Sequence, residues 1–182
     1  MKVKSIYQFL IRAVFLAFFL QLFLPFKIMA QYNENVLKAA YLEHITRFIE
    51  WPHNQSVRDS TNFIIGVYGD AEFYNILKEV LKTKKVKNHK LEIIQILDFN
   101  KIELCDLCYI SGIPESNIEK IMTIANKNGV LIMTESKNFG DSGVHINFYL
   151  KDNKLKFEIN KQSINSGKFK VSSLLLKNSK VI

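Results

Sequence analysis

The sequence is poor in the residues that punctuate or cross-link a chain. It has three prolines and seven glycines in 182 residues. They are too scattered to form a linker, and no repeat or low-complexity segment is visible. The chain therefore reads as a single folded unit behind its N-terminal segment. Only two cysteines occur, Cys105 and Cys108, so a disulfide framework is excluded. The four histidines, His44, His53, His89 and His145, are dispersed. None stands in HExxH or another tight ligand spacing. No acidic residue precedes Glu34, and no apolar run after residue 30 is long enough to span a membrane. A lipid-anchoring cysteine near residue 30 is also missing.

What the N-terminus does contain is a targeting pattern. Lys2, Lys4 and Arg12 precede an apolar run over 13–26, broken only by Gln21 and followed by Lys27-Ile28-Met29-Ala30. A basic start, a short hydrophobic core and a cut after Ala30 read as a secretory signal peptide over residues 1–30. The alternative is an uncleaved anchor. Residues 31–182 are then the mature domain, 182 − 30 = 152 residues, long enough to bury a real core. It is expected to be soluble and to work in the periplasm.

The formal charge of +8 overstates the mature domain. Four basic residues and no acidic ones lie before residue 31, leaving 21 − 17 = +4. Much of the excess is the run Lys82, Lys84, Lys85, Lys87 and Lys90, which reads as a solvated face. No aromatic residues interleave it, so a nucleic-acid platform is not indicated.

Apolar spacing predicts a helix over 35–51 ended by Pro52, a strand over 63–68, and a helix over 71–81 capped by Asp70. Strands follow at 91–97 and 104–110. A helix over 117–126 is ended by Gly129, and 130–133 is the fourth strand. Strand and helix alternate, and the strands are continuous rather than alternating apolar runs, as in a parallel sheet covered on both faces. Segments 144–150 and 154–159 do alternate about the turn 151–153 and predict an antiparallel hairpin. Residues 171–176 fit either a strand or a terminal helix. The fold class is α/β: one three-layer-like domain with a mostly parallel central sheet and an antiparallel C-terminal hairpin extension.

Catalytic signatures are thin. Gly66-Val67-Tyr68-Gly69-Asp70 follows a strand and opens a helix but is neither GxGxxG nor a P-loop. A Ser/His hydrolase could be built from Ser111 or Ser142 with His145, Asp141 lying beside Ser142, yet there is no GxSxG elbow. Cys105 and Cys108 are spaced as CxxC on a predicted strand, where residues three apart point to opposite faces. Free thiols, a local disulfide and redox or metal chemistry all remain readings of the pair.

Several short motifs in order carry a family resemblance. They are Lys38-Ala39-Ala40-Tyr41, Phe48-Ile49-Glu50-Trp51-Pro52, Ile65-Gly66-Val67-Tyr68-Gly69-Asp70 with Phe73, and the 105–111 strand with its leading cysteine. Val130-Leu131, the loop to Gly143, Ile146-Asn147-Phe148, Lys156-Phe157-Glu158-Ile159-Asn160 and Ser172-Ser173-Leu174-Leu175 complete the series. Together they resemble the YfiR family, also called the DUF4154 domain. The resemblance implies a periplasmic regulator without catalytic residues or cofactor, often dimeric. Such a protein binds and inhibits an inner-membrane diguanylate cyclase or works beside a sensor kinase. An outer-membrane lipoprotein that sequesters the regulator is a further implied partner. The namesake's disulfides are not matched, because Cys108 is the only intrachain partner available to Cys105.

Within these motifs Trp51 and Pro52 are read as locking the helix end onto the sheet. Glu158 and Asn160 are read as local caps or partner contacts, and the loop 136–143 as an adaptable interface. Gly69-Asp70, Ser111-Gly112 and Thr134-Glu135 follow predicted strands. A second reading, a small-ligand-binding sensory module, places its site there.

Overall fold

The computed structural model describes residues 12, 15, 24–52, 62–136 and 142–182. The chain divides into two units, Met1–Asn35 and Val36–Ile182. In the first, Arg12 and Phe15 are helical, and helix α1 (Leu24–Thr46) begins within it. Most of the apolar run at 13–26 lies outside the described residues. No helix among those described is long and apolar enough to cross a membrane.

The second unit is built on an eight-stranded sheet. Its members are β2 (Asn62–Tyr68), β3 (Lys85–Val86), β4 (His89–Ile96), β5 (Leu107–Ile110), β6 (Leu131–Glu135), β7 (Ile146–Lys151), β8 (Lys154–Ile159) and β10 (Lys180–Val181). Their order is β10-β8-β7-β6-β5-β2-β4-β3. The five strands from β7 to β4 run parallel, in register from Tyr68 through Ile110 and Thr134 to Asn147. β8 returns antiparallel to β7, and β10 closes that edge parallel to β8. The expected mostly parallel sheet with an antiparallel hairpin extension is what forms.

Two apolar layers explain the continuous apolar strands. Phe63, Ile65, Val67, Leu107, Tyr109, Leu131 and Met133 face one side. There they meet α1, α2 (Ala71–Leu81), α4 (Lys161–Ser166) and α5 (Ser173–Lys177). Cys108, Ile110 and Ile132 face the other side with α3 (Ile118–Asn128). Strands covered on both faces have no solvent side to make polar. In α2, Phe73, Ile76, Leu77 and Leu81 form the buried stripe. Its start is fixed as expected: the Asp70 carboxylate accepts the Phe73 N–H at 2.8 Å.

Two expectations are corrected and one ambiguity is resolved. The first helix stops at Thr46, not Trp51. Phe48 N–H turns back onto the Ile45 carbonyl, and β1 (Ile49–Glu50) then pairs with β9 (Lys170–Val171) in a separate two-stranded sheet. Strand pairing thus claims residues whose local spacing fits a helix. Leu104 belongs to a 3-10 turn, Phe99–Leu104, rather than to the third strand. The ambiguous 171–176 segment is both things, since β9 hands over at Ser172 to α5, whose Leu175 N–H the Ser172 hydroxyl caps.

Candidate functional site

At the amino ends of the parallel strands, Trp51 ties the segment that follows β1 to the sheet, whereas the motif reading has it lock the end of a helix that stops earlier, at Thr46. Its indole Nε1–H donates to the Asp106 carbonyl at 2.9 Å. The ring packs edge-on against Phe63 and Phe169, 5.1 and 6.1 Å between centroids. Pro52 is buried beside it. Lys87 lies over the indole at 5.4 Å and donates to the Ile49 carbonyl at 2.6 Å. Lys87 is therefore not part of a simply solvated lysine face. Burial lowers its pKa, with Glu50 partly opposing the shift.

Asp106 is the hub that sequence reasoning missed. Its carboxylate accepts the Ile64 N–H at 2.7 Å, and its own N–H donates to Ile64 O. The same residue's carbonyl also accepts the Leu131 N–H. One residue thereby ties β2, β5, β6 and Trp51 together. The signal was a charged residue inside the otherwise apolar 104–110 run.

Cys105 and Cys108 are both buried and reduced. They lie in the same apolar layer, not on opposite faces, because Cys105 precedes the strand as the cap of the 3-10 turn. Both sulfurs converge on Gly66: a Cβ there would overlap Cys105 Sγ and lie 3.3 Å from Cys108 Sγ. Hydrogen bonding with Cys105 and burial push the Cys108 thiol up, which keeps it protonated and a poor nucleophile.

The carboxyl ends of the strands are closed on themselves. Ser111 N–H donates to Tyr68 O at 3.0 Å, and a Cβ at Gly69 (φ 81°) would collide with the Ser111 carbonyl. Thr134 donates its hydroxyl to Ile110 O at 2.8 Å. Glu135 accepts from buried Lys38 at 2.6 Å and from the Tyr109 hydroxyl at 3.2 Å. The three strand-end pairs are brought together, but Asp70, Ser111, Thr134 and Glu135 are engaged by Phe73, Tyr68, Ile110, and Lys38 with Tyr109.

Glu158 and Asn160 take separate roles. Asn160 caps α4, its Oδ1 accepting the Ser163 N–H at 2.9 Å. Glu158 lies opposite Asn147 across the β7–β8 ladder. The Asn147 amide donates to Glu158 Oε1 and to the Ser136 carbonyl, while Lys180 pairs with Glu158 Oε2 at 2.9 Å. Glu158 is thus a buried strut between β7, β8 and β10. Residues 137–141 of the neighbouring loop, Asp141 among them, lie outside the described residues.

The Ser142–His145 assignment fails on geometry. His145 is wholly buried; its Nδ1 accepts the Ile132 N–H at 2.9 Å, and its Nε2 lies 3.2 Å from Asn126 Oδ1. That arrangement requires the neutral Nε2–H tautomer. Burial lowers its pKa to about 3. The Ser142 hydroxyl donates instead to Glu115 at 2.8 Å. No metal-holding group of His, Cys, Asp and Glu occurs among the described residues.

A groove of about 630 Å³ lies between α1, β8 and α5. Tyr41, Phe48, Phe157 and Leu174 supply apolar wall, and Glu43, His44, Lys156 and Asn178 supply polar groups. Phe157 is buried in the core, and it also forms part of this wall.

The DUF4154 model, described as YfiR/HmsC-like, matches residues 35–180. No curated protein matches the chain. Among solved structures, a conserved domain protein from Vibrio cholerae O1 biovar El Tor is similar at 14% identity and TM-score 0.52, over 79% of this chain and 59% of that one. The ABC domain in complex with L-Trp from Streptococcus pneumonia matches at 12% identity and TM-score 0.45, over 66% of this chain and 55% of its own. The chain thus spans less than two thirds of either structure.

Proposed function

Since the chain belongs to the YfiR/HmsC-like family, known as periplasmic regulators rather than catalysts, we propose that it is an exported regulator without enzymatic activity. It binds the periplasmic part of an inner-membrane signalling protein, a diguanylate cyclase or a sensor kinase, and holds it inactive. The family match over 35–180 is the observation that carries this reading. The basic-then-apolar N-terminus supports export. Commitment of both His145 nitrogens to Ile132 and Asn126 removes the base from both Ser/His pairs that sequence offered, Ser111 or Ser142 with His145.

In-cell crosslinking of the tagged full chain, followed by mass spectrometry, tests the proposal. Recovery of an inner-membrane cyclase or kinase is expected. Repeated recovery of no membrane signalling protein would sink it. Fractionation should place the shortened chain in the periplasm, and retention of the full-length chain in the cytoplasm would contradict export.

The groove favours a second reading, a small-ligand-binding sensory module, because its volume falls within the range of small-molecule sites. A ligand thermal-shift screen separates the two readings. Binding abolished by Tyr41→Ala but unaffected by Ser111→Ala would assign the ligand to the groove and away from the closed strand ends. No shift across a broad screen would remove this reading.

A further inference from the structure

The positive charge of residues 31–182 is gathered rather than spread. Lys82, Lys84, Lys85, Lys87 and Lys90 lie on the β3–β4 hairpin and the turn leading into it, with no acidic residue between Glu79 and Glu92. Lys87 and Asn88 both have positive φ, 48° and 71°, as in a two-residue hairpin turn. Val86 is buried, and Lys87 is held over Trp51 and on the Ile49 carbonyl, so the hairpin is tied to the body of the fold. Lys82, Lys84, Lys85 and Lys90 are exposed, and none of them pairs with a carboxylate among the described residues.

A second basic element meets the first at Trp51. The indole that carries Lys87 also packs on Phe169, which stands between Lys168 and Lys170. Both flanking lysines are exposed. Glu50 of β1 lies opposite Lys170 in the β1–β9 ladder, with 3.9 Å between the charged groups. Residues 49–51, 82–90 and 168–170 together hold seven lysines, one glutamate and no arginine. That exceeds the whole +4 of residues 31–182, so the rest of the mature domain is net negative.

We propose that this lysine face docks the protein on a membrane surface of anionic phospholipid. Composition favours that partner over others of negative charge. Arginine forks suit a discrete phosphate or carboxylate, and protein interfaces are enriched in arginine and depleted of lysine. Lysine is a hydrated point charge on a flexible stem, which suits a fluid array of headgroups. The ammonium groups come from separate segments of the chain, and those on the hairpin are not committed to carboxylates of the fold. Attachment is peripheral and electrostatic, since the face consists of charged side chains and inserts no apolar helix. Docking turns the amino ends of the parallel strands toward the lipid and leaves their carboxyl ends facing away. The proposal goes beyond regulation of a signalling protein and stands whether or not such a partner binds.

The test sediments protein exported from cells expressing the full chain together with lipid vesicles. Binding to mixed phosphatidylcholine and phosphatidylglycerol vesicles is expected to exceed binding to phosphatidylcholine alone. The excess should fall steeply between about 0.05 and 0.5 M salt, as the Debye length shortens. Lys84→Glu with Lys85→Glu should lower it about tenfold or more. Lys168→Glu should lower it severalfold, although that residue belongs to the other basic element. Lys151→Glu with Lys154→Glu makes the same change in net charge at the β7–β8 turn, at the carboxyl end of the sheet, and should leave binding within about twofold. All five positions are exposed, so circular dichroism and the melting midpoint should not move. No excess on anionic vesicles, or equal losses from both ends of the sheet, would overturn the proposal. Release by inorganic phosphate beyond that by chloride at equal ionic strength would also overturn it, marking a discrete anion site. Binding of a polyglutamate peptide without binding of vesicles would overturn it in favour of an acidic protein.

Discussion

β2 has a neighbour on each side, and the two neighbours differ in composition and in fate. β5 on one side, Leu-Cys-Tyr-Ile, is buried at every residue. β4 on the other, also rich in isoleucine and leucine, is fully buried only at Ile96. All four residues of β5 are apolar, against four of eight in β4. The next strand outward differs too: β5 has β6, while β4 has only the two-residue β3. Composition and sheet order thus act together, and only the first is local. The β5 side is also where specific contacts concentrate, at Trp51, Asp106, Gly69 and His145. Substitutions there should cost far more than equally drastic ones along β4.

The largest effect is expected at Trp51. Trp51→Ala removes the ring between Phe63 and Phe169 and the donor to Asp106. Loss of about 3–5 kcal/mol is expected from urea unfolding. Trp51→Phe keeps most of the packing and should cost about 1 kcal/mol, the net worth of one hydrogen bond. Equal losses in both variants would mean that the indole N–H, not the packing, holds the segment after β1 to the sheet.

Gly69→Ala comes next. The residue sits at φ 81°, a conformation unfavourable for a side chain, and a Cβ would strike the Ser111 carbonyl. Destabilisation of about 2–4 kcal/mol is expected, read from the shift in denaturation midpoint. A cost below about 0.5 kcal/mol would show that the β2 and β5 loops separate easily, contrary to a closed strand-end crevice.

The third effect is a pH dependence. His145 has a folded pKa of about 3 against the ordinary 6.5, lowered by burial. Its neutral form is the one the fold accepts, so its contribution is fully present above pH 6.5. That contribution falls as pH drops from 6.5 toward 3, because the unfolded chain takes up a proton that the folded chain refuses. At pH 4.5 the loss is about 2–3 kcal/mol by linkage. Comparing unfolding of the wild type and His145→Gln at pH 7.5 and 4.5 isolates it from the carboxylates. The wild type should lose more stability than the variant over that interval. Parallel losses would remove the imidazole as the cause.

These contacts differ in how far the sequence disclosed them. The strands of the centre, the Asp70 cap, the Asn160 cap and the return hairpin were legible because each follows from local spacing or capping chemistry. Trp51 was legible as an anchor, but its partner was not: the Asp106 carbonyl lies 55 positions away, and a main-chain acceptor leaves no mark in the sequence. The helix end was misplaced because β9, formed by residues 170–171, claims Ile49 and Glu50. Helical spacing cannot register a competitor so distant. The cysteines are free and buried, as one reading had it, but their facing differs from the expectation for a smaller reason. The strand begins three residues later than its apolar run, which places Cys105 in a turn and on the same side as Cys108. Glu158 was seen as a cap or contact, whereas the ladder sets it against Asn147, a pairing fixed by hairpin register.

The smallest effect should come from the end of β4 itself. Leu97→Ser changes a leucine that is 83% exposed, so little apolar area returns to water when the monomer unfolds. Its cost in monomer stability should be below about 0.5 kcal/mol, against several for Trp51→Ala on the other side of β2. Urea unfolding of the two variants side by side reads that contrast. A large loss of monomer stability would instead mean that Leu97 is covered within a single chain, and the contrast between the two neighbours of β2 would not hold.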